Sequence, residues 1–341
     1  MSRTDSPARP EAGDWRVILT RTVHEFRISQ CWDIAAALTY YAVLTVFPAL
    51  LGALALAGIF GSAEAVARTA LDVVGNLAGD ELAAAVDQPI AELLDASNAT
   101  LAFVTGLVLT VWTVSGYLGT FGRGMNRILG VEEGRPFWES RPAMIGFASV
   151  VVLLSSIVAV LLVVSGPVAD AVAASIGLSG ELVLAWDLAK LPVVVVIVAV
   201  IIALFYWATP NVKRRHIRWM SVGTAGAVVG WVATTALFAF YVLGVRAYER
   251  TYGVLGFAVA FLLWVWLSNL ALLFGAVLDT EVERARQLHD GIDAEDHLQL
   301  PLRDDRLIRK NREERNADRL ASAAMKPDSA VDGIVPPPGE H

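Results

Sequence analysis

The stretch at residues 35–60, AAALTYYAVLTVFPALLGALALAGIF, runs for 26 residues without a charged side chain. At about 1.5 Å rise per residue it reaches about 39 Å as a helix, and a hydrocarbon core is about 30 Å thick. It can therefore cross a bilayer with some tilt. A bend or local unwinding is expected at Pro48, which lacks an N–H and whose ring clashes with the preceding turn. Thr39, Tyr40 and Tyr41 place hydroxyls near one end, where aromatic residues with polar tips sit at the membrane interface. One such segment would also suit a buried helix of a soluble protein. Five more follow, and together they decide for a membrane.

The 341 residues are 55% hydrophobic yet carry a formal net charge of -7, and the mean hydropathy is +0.55. A soluble protein this apolar would need an implausibly large core, so the excess faces lipid. Cys31 is the only cysteine, which excludes an intrachain disulfide and a thiolate metal cluster. The polar lead through Arg27 has no short apolar core followed by a small-residue cleavage site, so no cleaved signal peptide is expected.

The expected fold class is all-α, a polytopic membrane protein with six transmembrane helices. Residues 1–34 form an N-terminal segment whose Trp15, Val17, Ile18, Val23, Phe26 and Ile28 suggest a short amphipathic helix in the interface. The transmembrane domain covers 35–278, with spans at about 35–60, 99–121, 143–166, 188–209, 220–245 and 253–278. No Asp, Glu or Arg lies inside any span; Lys190, near the start of the fourth, can snorkel to the headgroups. Between the first two spans, residues 61–98 are too charged to cross and read as two amphipathic outer helices broken at Pro89. Residues 279–341 read as a charged, largely disordered tail. Its first part continues the sixth helix through Leu288, and Arg303 to Leu320 alternates charge like a solvated helix.

Basic residues set the orientation. The alternating connections place 23 of the 27 Lys and Arg on one side and 3 on the other, with Lys190 inside a span. By the positive-inside rule both termini and the second and fourth loops are cytoplasmic, and the acidic 61–98 segment faces outward. The expected location is the plasma membrane.

A search for chemistry finds no catalytic set. The five histidines are scattered over termini and one loop, without metal-ligand spacing. No phosphate loop and no Gly-x-Ser-x-Gly elbow occurs. No catalytic, cofactor-binding or metal residues are assigned, and the chain is expected not to be an enzyme. The basic loops are accounted for by topology, so no nucleic-acid partner is expected; the lipid bilayer is the one partner implied, and a homo-oligomer is left open. Polar residues within spans, Thr105, Thr110, Thr113, Ser115, Tyr117, Ser268 and Asn269, either hydrogen-bond between helices or line a polar cavity of spans one, two and six. Gly223, Gly226 and Gly230 give span five a face for close helix approach. Tyr248-Glu249-Arg250-Thr251-Tyr252-Gly253 packs two tyrosines and an ion pair's worth of charge into a short outer connection. It is either an aromatic belt with a tight turn or a polar site whose hydroxyls reach Tyr40 or Thr113.

In order along the chain, Ala37, Tyr40, Phe47 and Pro48, then Trp112, then Asn126-Arg127-Ile128-Leu129-Gly130 with Arg135-Pro136-Phe137 form a recognisable series. It continues with Tyr206 and Pro210, then Tyr248, Tyr252-Gly253, Leu255-Gly256, Trp264 and Gly275-Ala276. Over about residues 20–285 this ordered set resembles the YihY/BrkB family of bacterial and archaeal membrane proteins. The resemblance implies a six-helix inner-membrane protein with cytoplasmic termini. The family's usual Glu after the last Gly-Ala is Val277 here, and Asp279 or Glu281 stand nearby as replacements. An old family label, ribonuclease BN, implies tRNA processing, for which these residues offer no metal ligands or carboxylate cluster. BrkB-like members are linked to serum resistance, and transport or envelope roles are suggested for others. Two classes follow: a transport or lipid- and envelope-handling protein, or a non-transporting scaffold binding partners through its tail and the 61–98 segment.

Overall fold

The computed structural model describes residues 13–59, 99–163, 180–213, 221–244 and 249–325, with isolated positions between 68 and 87. The expected outer helices of 61–98 and the proline run at 336–338 lie outside the described residues. Those described form helices and one isolated bridge, Val212 to Leu302, with no strand among them. The helices are α1 (Asp14–Ile28), α2 (Cys31–Ile59), α3 (Ala99–Ile128), α4 (Phe137–Val163), α5 (Gly180–Ala208), α6 (Val222–Gly244), α7 (Glu249–His289) and α8 (Arg306–Ala324).

Six of them, α2 to α7, are long and apolar enough to cross a membrane, the shortest apolar window being the 20 residues Val222–Tyr241. Several helices outrun their apolar spans. Backbone i to i−4 bonding does not stop at the headgroups, so α3 continues to Ile128 and α7 to His289. Each of these six packs on its neighbours in the series, and α7 returns to α2, which closes the ring. Only 11–22% of each apolar window is buried within the chain, so most of this surface requires lipid to cover it.

The core gathers in the half of the bundle where both terminal segments pack, the tail end. Cys31, Ala35, Leu38, Leu118, Phe121, Leu273 and Val277 are fully buried there. Phe121 stacks on Tyr206 and meets Phe205 at 5.4 Å between ring centroids, which fixes α3 against α5. Small residues set the closest helix approaches. A Cβ on Gly106 would fall 2.6 Å from the Gly52 nitrogen, and one on Gly275 2.3 Å from the Gly223 carbonyl oxygen. The second contact is the α6 glycine face read from the sequence, now seated on α7.

Two expectations require correction. Of the bend or unwinding expected at Pro48, the unwinding does not occur: α2 runs as one helix from Cys31 to Ile59. The Pro48 carbonyl faces Gly106, where a Cβ would stand only 3.0 Å from it, so α3 packs closely against α2 beside the proline. The chain after Asp279, expected largely disordered apart from a helix extension through Leu288 and a solvated helix over 303–320, has both helices, α7 to His289 and α8 over Arg306–Ala324, and the connection between them is also ordered. Helix α1 also finds a protein partner: Ile18 packs with Leu278 and Val282 of α7, and Arg21 pairs with Glu281 at 3.0 Å.

Candidate functional site

At the tail end, α3 ends at Ile128 and Gly130 adopts φ +66°, a conformation open to glycine, which turns the chain into the 131–136 loop. That loop carries Glu133 and Arg135. The Arg135 guanidinium holds Glu133 through Nε at 2.8 Å and Nη2 at 2.8 Å, and Nη2 also donates to the Thr209 carbonyl at 2.8 Å. Asn126 donates to Glu133 Oε2 as well, at 2.9 Å, and accepts the Asn211 backbone N–H at 2.8 Å. Burial pushes the Glu133 carboxyl up, but the hydrogen bonds from Arg135, its charge and the Asn126 amide outweigh it and hold the group below the ordinary carboxylate value. Pro210 is buried in the turn between Thr209 and Asn211.

The tail completes this knot. Asn211 Nδ2 donates to the Asp304 carbonyl at 2.7 Å, and its Oδ1 accepts the Asp304 N–H at 3.1 Å. Arg303 caps the end of α5 by donating to the Ala208 and Trp207 carbonyls at 3.0 and 3.1 Å. Gly134 is required for the approach, since a Cβ there would overlap the Asp304 carbonyl. Beside it, buried Glu281 binds Arg21 and Arg284, and Arg284 reaches the Ala294 carbonyl at 2.8 Å. Glu281 sits one turn beyond the buried Val277, while Asp279 instead accepts the Gly223 N–H at 2.8 Å, at the start of α6.

Deeper in the bundle, Tyr117 donates to Asn269 Oδ1 at 2.7 Å and Asn269 Nδ2 donates to Thr39 at 3.1 Å. These groups of α3, α7 and α2 satisfy one another, as the helix-bonding reading of Tyr117 and Asn269 expects.

A cavity of about 670 Å³ lies elsewhere, between the tail-end parts of α5, α6 and α7 and the 299–301 segment. Tyr206, Lys213, Asp279, Glu283 and Arg286 contribute polar groups to its wall. The Tyr206 hydroxyl donates to the Leu272 carbonyl and stands against Gly275. Further along the same α6–α7 seam, an apolar groove of about 520 Å³ is lined by Phe238, Tyr241, Val259, Leu263 and Trp264. Trp264 stacks on Phe238 and donates to Thr235 at 3.2 Å. Between the two recesses the seam is shut by Gly223 on Gly275 and Gly230 on Ala271.

The site residues read from the sequence therefore divide. Asn126, Arg135 and Pro210 come together in the knot; Tyr206 reaches the cavity, Trp264 the groove and Asn269 the buried triad. Pro48 packs on α3, and Trp112 is half-exposed under the Arg141 guanidinium at 4.6 Å. Tyr40 is 62% exposed and stacks edge-on with Tyr41, at the tail end of α2. Tyr248 lies outside the described residues; Tyr252 and Gly253 belong to α7, with their side-chain surroundings likewise outside them. Glu133, Asn211, Arg303 and Asp304 escaped the sequence reading. The signal available was local: Glu133 stands between Asn126 and Arg135, and Asn211 follows Pro210.

The family model "Virulence factor BrkB" matches residues 22–298. The "Putative ribonuclease-like protein YfkH" of Bacillus subtilis is 25% identical over 257 residues, covering 75% of this chain and 91% of that protein. A "UPF0761 membrane protein" of Aromatoleum aromaticum is 29% identical over 272 residues, covering 77% of this chain and 64% of its own length. Another of Ralstonia nicotianae is 27% identical over 297 residues, covering 80% and 61%. The chain thus spans under two thirds of those two UPF0761 relatives. No solved structure matches. With six apolar helices and a family match over most of its length, this chain is a multi-pass membrane protein belonging to the BrkB family.

Proposed function

We propose that this protein is a non-catalytic plasma-membrane protein, both termini cytoplasmic, that moves or handles a lipid or envelope-related solute along the α6–α7 seam. The observation that carries the reading is the pair of recesses on that seam: a polar cavity at the tail end and an apolar groove open toward lipid, with a glycine-sealed stretch between them. A path with a polar and an apolar end, closed in the middle by small residues, suits an amphiphile or a gated solute. Shifts of a helix against its neighbour open such seams without unfolding either one.

Hydrolysis, suggested by the words "ribonuclease-like" in the name of the Bacillus relative, draws less support. Among the described residues no three of His, Cys, Asp and Glu converge. The two cavity acids are engaged, Asp279 with Gly223 and Glu283 with Arg286. Scaffolding is favoured by one feature, the charged α8 helix, which is exposed along most of its length beyond the docked Ile308.

Reconstitution into proteoliposomes tests the proposal. Protein-dependent scrambling of fluorescent lipids or release of an entrapped solute is expected. If folded protein moves none of a panel of lipids and small solutes, while removal of residues 306–341 alone abolishes function in cells, the scaffold reading replaces it.

A further inference from the structure

We infer that the outer face of α3, together with Arg141 of α4, binds an anionic phospholipid of the tail-side leaflet. The site lies on other helices than the α6–α7 seam and does not rest on the reading given above. Helix α3 presents a stripe with a lengthwise order. Leu101, Val104, Val108 and Trp112, spaced three and four residues apart, are exposed along one face. The same face continues through Gly119 to Arg123, about three turns beyond Trp112. Apolar side chains, an aromatic ring, a bare glycine surface and a guanidinium thus follow one another, as acyl chain, interface and phosphate do in a lipid. Arg123 folds back along its own helix: its Nη2 donates to the Thr120 hydroxyl at 2.9 Å, and a Cβ on Gly119 would meet Arg123 Nη1 at 3.8 Å. From α4, the Arg141 guanidinium stands 4.6 Å from the centre of the Trp112 ring. Exposed Phe137 and Trp138 lie just before Arg141 in the chain, where aromatic rings mark the membrane interface.

Charge on this face is of one sign. Among the described residues no carboxylate pairs with Arg123 or Arg141. Helix α3 carries no acid, and the one acid of α4, Glu139, is bonded to Arg306. The one acid of neighbouring α2, Asp33, lies about two turns from Tyr41, whose ring flanks Gly116. Topology requires basic residues on the tail side. It does not require two of them, without counter-ions, at the polar end of one exposed apolar stripe. A cation at the lipid boundary that has no protein partner takes its counter-charge from headgroups, and basic recesses between helices at that level hold anionic lipids. Guanidinium forks also match the geometry of phosphate oxygens. A soluble anion would meet the cationic end and leave the apolar part of the stripe uncovered.

Native mass spectrometry of the full chain in detergent tests this, with dioleoyl phosphatidylglycerol, dioleoyl phosphatidylcholine and inorganic phosphate as probes. Phosphatidylglycerol is expected to bind about tenfold or more tightly than phosphatidylcholine of the same chains, and inorganic phosphate far more weakly than either. Arg123→Gln and Arg141→Gln should each weaken phosphatidylglycerol binding by about fivefold, the contribution of one basic residue near an anionic surface, and leave phosphatidylcholine unaffected. Arg123 is exposed, so its variant reports even if Arg141→Gln folds poorly. Arg312→Gln removes the same charge from an exposed position on α8 and should change neither affinity. Equal binding of the two lipids overturns the inference, as does a phosphatidylglycerol preference that survives in the double variant Arg123→Gln/Arg141→Gln. A loss in Arg312→Gln as large as in the α3 and α4 variants reduces the site to diffuse charge and overturns it too. Inorganic phosphate bound as tightly as phosphatidylglycerol would assign a soluble anion in place of the lipid.

Discussion

The side-chain carbonyl of Asn126 accepts the backbone N–H of Asn211 at 2.8 Å, joining the end of α3 to the turn after α5 across 85 residues. The same amide donates to Glu133, so one buried side chain serves two loops. Asn126→Ala leaves a buried N–H unpaired and removes a Glu133 partner. It should cost about 1–3 kcal/mol, read as a lowered midpoint in denaturant unfolding of the purified protein. An unchanged midpoint would show that the knot does not stabilise the bundle.

The same knot makes stability depend on pH. Glu133 has its folded pKa held below the ordinary value near 4.5. A depressed carboxylate contributes stability that is present above the unfolded pKa and is lost as pH falls through the folded one. The melting temperature should therefore fall below about pH 4.5 more steeply in the wild type than in Glu133→Gln. Parallel pH profiles for the two proteins would contradict this.

Within the membrane, Tyr117 donates to Asn269 at 2.7 Å. Tyr117→Phe deletes one oxygen and keeps the ring against Phe205, 5.9 Å between centroids. Intramembrane hydrogen bonds contribute about 1 kcal/mol or less, so a small loss of stability is expected, without loss of fold. A double cycle with Asn269→Leu checks that the effect belongs to this pair.

The α6–α7 seam discriminates between its glycines. On Gly275 a Cβ would lie 2.3 Å from the Gly223 carbonyl oxygen, whereas on Gly226 the nearest atom is Leu278 Cδ2 at 3.4 Å. Gly275→Ala should force the helices apart at a cost of about 1–3 kcal/mol. Gly226→Ala should be neutral or stabilise by up to about 1 kcal/mol, because alanine restricts the unfolded chain. Thermal melts of both variants test the order; equal effects would mean the seam is looser than described.

Orientation is open to direct labelling. Cys31 is fully buried, so Cys31→Ala provides a background in which Asp328→Cys is the one thiol. With cytoplasmic termini, an impermeant maleimide should modify it in opened membranes and not in intact cells. Labelling from outside intact cells would reverse the assigned topology.

Much of this architecture is a local property of the chain. Each run of 20 or more apolar residues is long enough to cross lipid whatever its neighbours are, and six of them in one chain decide for a membrane, so the spans were legible without the packing. The glycine face of α6 was equally legible, because small residues three and four apart share one side of a helix. Which helix it meets was not, and packing answered that with Gly275 of α7. The motif residues Asn126 and Arg135 were visible, but their purpose was not. Their partners Thr209 and Asn211 lie 74 and 85 residues away, and Asp304, which Asn211 binds, lies 93 residues further on from Asn211. Nothing in the composition of the tail announces that Arg303 caps α5 or that Asp304 closes on Gly134. Such bonds form only after helices assemble, because each pairs a backbone group orphaned at one helix end with a side chain delivered by another. The cavity arises in the same way. Its wall combines α5, α6, α7 and the returning tail, so Lys213, Asp279, Glu283 and Arg286 come to line one space only in the assembled bundle.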